Sequence, residues 1–254
     1  MGPDSATTGR LPTAHNDVVD TLTSHYRSGD AMRSRSVGHL VLTGTLDLPA
    51  LPTRLLADWE REISLHMGLE PGDVEPLPLA RARARWPGYR QTVQAMAGWT
   101  HSLGLAHLLA DSEIAVMACR GARYHHDGVQ YGCAAFCNLF LGEDNGLELH
   151  FPQLDRRIAL VRGTAVLFDT GQPHAVVRRG SSRFDAADFA AGSDCSQYFL
   201  TWELPIEDPG VARALQVSFD VGPAAALSSD SGQLWRNGAP AVLCPDTGRW
   251  HGVT

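Results

Sequence analysis

Three consecutive side chains, His125-His126-Asp127, are of the types that bind a transition metal. They close a stretch, residues 122–127, that reads as a β-strand ending just before Gly128. On a strand, residues i and i+2 point to one face, so His125 and Asp127 can converge while His126 turns to the opposite face. Two imidazoles and a carboxylate on one face of a metal form the facial triad that suits Fe(II) and leaves the opposite positions open. The third donor would be another His on a neighbouring strand. With 11 His and 28 Asp+Glu in 254 residues, roughly one H-x-D/E is expected by chance. The chain has two, and the other, His15-Asn16-Asp17, falls in an arm with no sheet to hold ligand geometry. Context therefore singles out 125–127.

A second segment, Gly163-Thr-Ala-Val-Leu-Phe-Asp169-Thr-Gly171-Gln-Pro-His174, places a strand, a tight Gly turn and a His entering the next strand. It resembles the second signature of the cupin-type double-stranded β-helix, in which a Gly and a metal-binding His bracket a hairpin. Between the halves, Asp144-Asn145-Gly146-Leu147-Glu148-Leu149-His150-Phe151-Pro152 resembles the "GGE-L-x-F-P" segment of prolyl-hydroxylase-like oxygenases. Residues 123–204, about a third of the chain, are similar to the Fe(II)/2-oxoglutarate-dependent dioxygenases. The resemblance implies a jelly-roll core, iron held by His125, Asp127 and His174, and 2-oxoglutarate chelating that iron. It also implies that the Asp127 carboxylate favours hydroxylation, since halogenating relatives carry a small residue there.

The far carboxylate of 2-oxoglutarate calls for a buried cation, which here must be Arg, because all 21 Lys+Arg residues are Arg. In prolyl-hydroxylase-like enzymes that cation lies about nine residues beyond the distal His, which is Arg183. The chain departs from the pattern, because 184–195 intervenes before the last strand and the usual position on that strand holds Ser196 and Gln197. Arg178 competes, since 174, 176 and 178 share a face. Asn138, the single polar residue of 136–141, is a third cofactor-binding candidate, and its amide either meets the co-substrate or satisfies backbone. His150 is either substrate-facing or partnered within the sheet. Arg123 and the Arg81, Arg83, Arg85 run read first as surface charge.

Elements must bring these residues together. Residues 1–13 read as a loose arm, 16–27 as a short helix, 37–46 as a strand, and 51–66 as an amphipathic helix stopped by Gly68. A longer helical stretch covers 91–111 with a break at Gly104. From 113 to 204 the chain shows eight short strands: 113–119, 122–127, 131–141, 147–151, 157–161, 164–168, 174–178 and 197–204. Asp208-Pro209 opens a helix to about Phe219, and 233–250 reads as a hairpin. The fold class expected is α+β: one domain over 1–254, with a double-stranded β-helix core at 113–204, N-terminal helices in support and a C-terminal helix plus hairpin.

Composition narrows function further. Absence of Lys excludes Schiff-base and phosphate-loop lysine chemistry. A formal net charge of −7 argues against nucleic acid as a partner. Five cysteines, Cys119, Cys133, Cys137, Cys195 and Cys244, are an odd number without C-x-x-C spacing, with Cys133 and Cys137 read as core thiols. No signal peptide or membrane-spanning run is evident, so a cytoplasmic, soluble protein without a membrane partner is expected. The expected activity is hydroxylation of an unactivated C–H in a small molecule, such as a free amino acid or natural-product intermediate, with dioxygen as co-substrate and succinate and CO2 as co-products. A peptide or protein side chain is the runner-up target. The alternative is a cupin-like metal enzyme or a binding domain that does not use 2-oxoglutarate.

Overall fold

A computed structural model describes residues 21–67, 70–189, 195–221 and 233–251. The expected arm at 1–13, the His15-Asn16-Asp17 tripeptide and Gly68 lie outside them. The chain runs β1 (Leu22–Ser28), β2 (Ala31–Ser36), β3 (Leu42–Thr45), α1 (Thr53–Glu62) and a π-helical turn (Ile63–Met67). It continues with β4 (Val74–Leu77), α2 (Leu79–Ala84), α3 (Tyr89–Ser102), α4 (Ala106–Asp111), β5 (Ile114–Cys119), β6 (Ala122–His125) and α5 (Gly128–Tyr131). Then follow β7 (Ala134–Phe140), β8 (Leu147–Phe151), β9 (Arg156–Ala159), β10 (Thr164–Asp169), β11 (His174–Arg178), β12 (Gln197–Pro205) and α6 (Pro209–Leu215). Short strands β13 (Leu234–Arg236), β14 (Ala239–Pro240), β15 (Val242–Leu243) and β16 (Trp250–His251) complete it.

The architecture is mixed α/β, and its sheets are built from antiparallel strand pairs. A six-stranded sheet, β3-β10-β7-β12-β5-β4, faces a four-stranded sheet, β6-β11-β8-β9. Phe168 of the large sheet meets Phe151 of the small one, ring centroids 5.2 Å apart. Side chains alternate along β12, as a pleated strand requires. Leu200, Trp202 and Leu204 pack against the helical layer, where Leu55, Trp59, Trp86 and Met96 are buried. Phe199 joins the core between the sheets instead. Helices thus cover one face of the large sheet and the small sheet covers the other.

Three expectations about elements are corrected. Residues 22–28 are a strand, not a helix, with Leu22, Ser24, His25 and Tyr26 buried. Ser and Thr compete with helical backbone hydrogen bonding, and the two-residue turn at Gly29 (φ +59°) and Asp30 closes a hairpin with β2. That hairpin sits in a third sheet, β14-β13-β1-β2, beside strands from the chain's other end. The expected eight-strand core also gains edge strands: β3, shorter than the 37–46 expected, on one side and β4 on the other. Helix α6 begins as read: Asp208 Oδ1 accepts from Gly210 N (2.8 Å) and Val211 N (3.2 Å), with Pro209 at the first turn. It ends at Leu215 rather than Phe219, because Gln216 turns left-handed (φ 59°). Cys137 is buried as expected, whereas Cys133 precedes β7 and is exposed.

Candidate metal centre and its cavity

Strands β6 and β11 are neighbours in the small sheet, and their register sets His125 opposite His174. Their ring centroids are 4.5 Å apart. Asp127 arrives by a different route from the expected one. Strand β6 ends at His125, and Asp127 stands at the head of the single turn α5, its N–H donating to Thr170 O at 2.8 Å. A turn, rather than the pleat, makes the two residues converge. An Asp in that position ordinarily caps the helix with its carboxylate. This one makes no capping bond. Its oxygens face the two imidazoles instead, Oδ1 at 3.6 Å from His125 Nε2 and Oδ2 at 3.5 Å from His174 Nε2. One donor atom from each residue lies within 4.8 Å of the others.

Both histidines are fixed in one tautomer. His125 Nδ1 is 2.6 Å from Arg123 O, and His174 Nδ1 is 2.9 Å from Gln172 O. A carbonyl oxygen only accepts, so each Nδ1 carries a hydrogen, and Nε2, turned toward Asp127, is the nitrogen of each ring able to bind a metal. Burial, aided by the neighbouring His125, holds His174 well below the ordinary histidine range. Burial likewise pushes the Asp127 carboxyl above its usual value, against the opposing pull of His125 and His126. Three electron-pair donors thus converge, an arrangement suited to a divalent ion. Two imidazoles, each oriented by a backbone acceptor, and a carboxylate fit such an ion.

The three residues line a cavity of about 450 Å³ between the sheets. Its floor is ordered in cross-strand rows. Met117, Phe199 and Phe140 form an apolar row. Ala115, Thr201 and Asn138 form a polar one. Glu203 and Phe136 form a third, with Phe168 paired to Phe136 on the far side. Ala122, Leu149 and Val176 close the roof, while Gln130, Tyr131, Val74 and Pro76 complete the wall. Asn138 is 6% exposed, and among the described residues its Oδ1 has no hydrogen-bond partner. Buried amides are ordinarily hydrogen-bonded, so this one stands out in the cavity wall.

The remaining expected residues are distributed as follows. Arg183 is exposed on the surface beside Asp185 (3.9 Å) and does not line the cavity, which corrects its expected place. Beyond β11 the chain leaves the sheet, and Phe184 stacks on Phe189 (5.4 Å) of a 3-10 turn, which swings Arg183 outward. Arg178 shares a strand with His174 and Val176 but gives its guanidinium to Asn145 O (3.2 Å) and Asp188 O (3.0 Å). Among the described residues, no arginine borders the cavity. His150 is bonded to Tyr124 OH (2.6 Å), which makes it the partnered sheet histidine of the two alternatives. His126 lies outside the cavity wall, and burial lowers its pKa. Arg123 pairs with Asp246 at 2.7 Å, and Arg81 and Arg85 pair with Glu62 and Asp58 on the surface. Sequence reading missed Tyr131, Thr201 and Glu203 as cavity residues. The signal was the alternation 199, 201, 203 along β12, which marks one face of a strand buried on both.

No family model and no curated protein matches the chain. Among solved structures, it is similar to a Pseudomonas putida prolyl-4-hydroxylase at 18% identity and TM-score 0.36, covering 65% of this chain and 92% of that one. It is also similar to EvdO2 from Micromonospora carbonacea var. aurantiaca (11% identity, TM-score 0.40, covering 65% and 86%). A third is SnoN, a non-haem α-ketoglutarate-dependent epimerase from nogalamycin biosynthesis (12% identity, TM-score 0.35, covering 83% and 92%). At these TM-scores the likenesses carry no weight of their own, and the function is read from the site. Among the described residues, no helix is long and apolar enough to cross a membrane.

Proposed function

We propose that the chain is a non-haem Fe(II), 2-oxoglutarate-dependent oxygenase, and that its facing sheets form a double-stranded β-helix. The proposed activity is hydroxylation of an unactivated C–H in a small molecule, such as a free amino acid or natural-product intermediate. One observation carries the reading: two imidazoles locked with Nε2 toward one carboxylate, at the wall of a cavity of about 450 Å³. His125, Asp127 and His174 are the proposed metal ligands. Those residues would hold Fe(II), which with 2-oxoglutarate and dioxygen would supply the oxidising power such a bond requires, with succinate and carbon dioxide as co-products. The protein's share is placement and exclusion of water.

For the far carboxylate of 2-oxoglutarate we propose Arg178, whose guanidinium would have to leave the carbonyls of Asn145 and Asp188 to reach the cavity. Its guanidinium bonds go to neutral carbonyls rather than to a carboxylate, and it lies on the strand that carries His174. Asn138 and Thr201, side by side on β7 and β12, offer an amide and a hydroxyl to the same ligand. Phe136, Phe140, Phe168 and Phe199 keep the interior apolar. Gln130, Tyr131 and Glu203 supply the polar contacts that would orient the substrate. The lack of arginine at the cavity wall, among the described residues, favours a second reading, a metal enzyme that does not use 2-oxoglutarate.

One experiment separates the two. Fe(II) and 2-oxoglutarate are added without oxygen, and the weak visible charge-transfer band of the chelate is sought. Air is then admitted, and succinate is measured against a panel of amino acids. A band followed by succinate supports the first reading. Folded protein that binds Fe(II) yet shows no band with 2-oxoglutarate supports the second.

A further inference from the structure

Strand β2 belongs to the sheet made from the chain's two ends, yet one of its side chains reaches the metal centre's support. Arg35 is completely buried, and so is its partner Asp169, at the end of β10. The guanidinium is bidentate, Nη1 to Oδ2 at 2.5 Å and Nη2 to Oδ1 at 2.8 Å. The same carboxylate accepts from Gly38 N and Gly171 N, both at 2.7 Å. Its oxygens thus join the turn 169–172 to the segment after β2.

That turn supports two of the three proposed ligands. Thr170 O accepts the Asp127 N–H at 2.8 Å, and Gln172 O sets the tautomer of His174 at 2.9 Å. The Thr170 hydroxyl is 2.7 Å from Tyr131 O and 2.9 Å from Ala134 O, tying it to the far end of α5. Arg35 Nε donates to Gly132 O at 3.0 Å, also just past α5. One planar fork therefore grips both the turn leading to His174 and the helix headed by Asp127. Lysine could not do this, because the contacts need several donors at fixed angles.

We propose that the buried Arg35–Asp169 pair is the positioning device of the metal centre, fixing the distance between Asp127 and His174 and the tautomer of the latter. The proposal rests on reading His125, Asp127 and His174 as that centre. It also gives a purpose to the sheet built from both chain ends, which inserts the guanidinium. Neither residue touches the metal or substrate, so both act through the backbone of others.

The test uses purified metal-free protein and Co(II) as probe, with three readouts: thermal melting without metal, Co(II) affinity by titration, and the visible d–d spectrum. Removing one charge alone risks misfolding, so the main variant is Arg35→Met with Asp169→Asn, which removes both. It should melt cooperatively, bind Co(II) about 10–100-fold more weakly, and show an altered spectrum. Arg35→Lys, which keeps charge but loses the fork, should weaken Co(II) binding in the same direction. If the double variant fails to fold, Arg35→Lys decides, since it keeps the charge beside Asp169 and loses the fork that also holds Gly132 O. A folded variant with wild-type affinity and spectrum overturns the proposal. His174→Ala separates the failures: if it loses Co(II) while the double variant keeps it, the positioning role alone falls. If His174→Ala binds Co(II) like wild type, the metal centre itself is misread.

Discussion

A hydrogen on Nδ1 distinguishes His125 and His174 from ordinary core histidines, because it leaves each Nε2 free to bind a metal. The arginine assignment can be tested at the same scale. Arg178 donates to carbonyls, whereas Arg183 is solvated beside Asp185. Removing one partner of a buried charged contact costs several kcal/mol. Arg178→Ala should therefore raise the 2-oxoglutarate concentration needed for half the charge-transfer band on the order of 100-fold. Arg183→Ala should leave it within about twofold, as an exposed pair contributes little. An unchanged midpoint for Arg178→Ala would move the anchor to the neutral pair Asn138 and Thr201. The donor residues were legible in the sequence, since their types and order survive without coordinates. The tautomers were not, because Gln172 O and Arg123 O reach the rings only after the turns have folded. Arg183 misled for a similar reason: counting nine residues from His174 assumes that the next core strand follows at once, whereas β11 ends at Arg178 and β12 begins only at Gln197.

At the level of elements, the β1–β2 hairpin docks on a residue just after β12. Glu207 accepts from Tyr26 OH (2.7 Å), Ser28 Oγ (3.0 Å) and Arg33 Nη1 (2.5 Å). The Tyr26 hydrogen bond first, then Ser28 and Arg33, outweigh partial burial and hold its carboxyl below the ordinary 4.5. A folded value below the unfolded one means the stabilisation is full above about pH 4.5. It is lost as pH falls through the folded value. Solvent screens this partly exposed cluster, so the contribution is under about 1 kcal/mol. Urea unfolding between about pH 6 and 3 should show a downward slope on the acid side that Glu207→Gln flattens. A slope equally steep in the variant would assign the acid sensitivity elsewhere. The hairpin was only partly legible: Gly29-Asp30 marks its turn locally, but its other partner strand β13 lies some two hundred residues along the chain, as the Thr21–Asn237 bond shows. Helix α6 was legible because Asp208 and Pro209 act within one turn.

For the whole molecule, the decisive feature is that the large sheet serves two cores with separate duties. One lies under the helices and holds Leu200, Trp202 and Leu204 with Trp59, Trp86 and Met96. The other lies between the sheets, holds Phe199 with Phe140 and Phe168, and surrounds the cavity. Polar Thr201 and Glu203 alternate with apolar Leu200, Trp202 and Leu204 along β12, so the sequence located the strand and its two faces, but that the polar face borders a cavity follows only from how the sheets pack. Neighbouring residues on it should behave oppositely. Leu200 is completely buried among the helices. Leu200→Ala should cost about 2–5 kcal/mol in unfolding while the folded fraction keeps wild-type Co(II) affinity and charge-transfer band. Phe199 packs on Phe140, centroids 5.2 Å apart, and already borders open space. Phe199→Ala should cost less stability, because water or a relaxed neighbour can occupy the enlarged cavity. Its effect should fall on the ligand, shifting the band and raising the 2-oxoglutarate midpoint. Paired urea melts and anaerobic titrations of the two variants decide the matter. If Leu200→Ala perturbs the band while Phe199→Ala leaves it unchanged, the division of labour between the two faces is wrong.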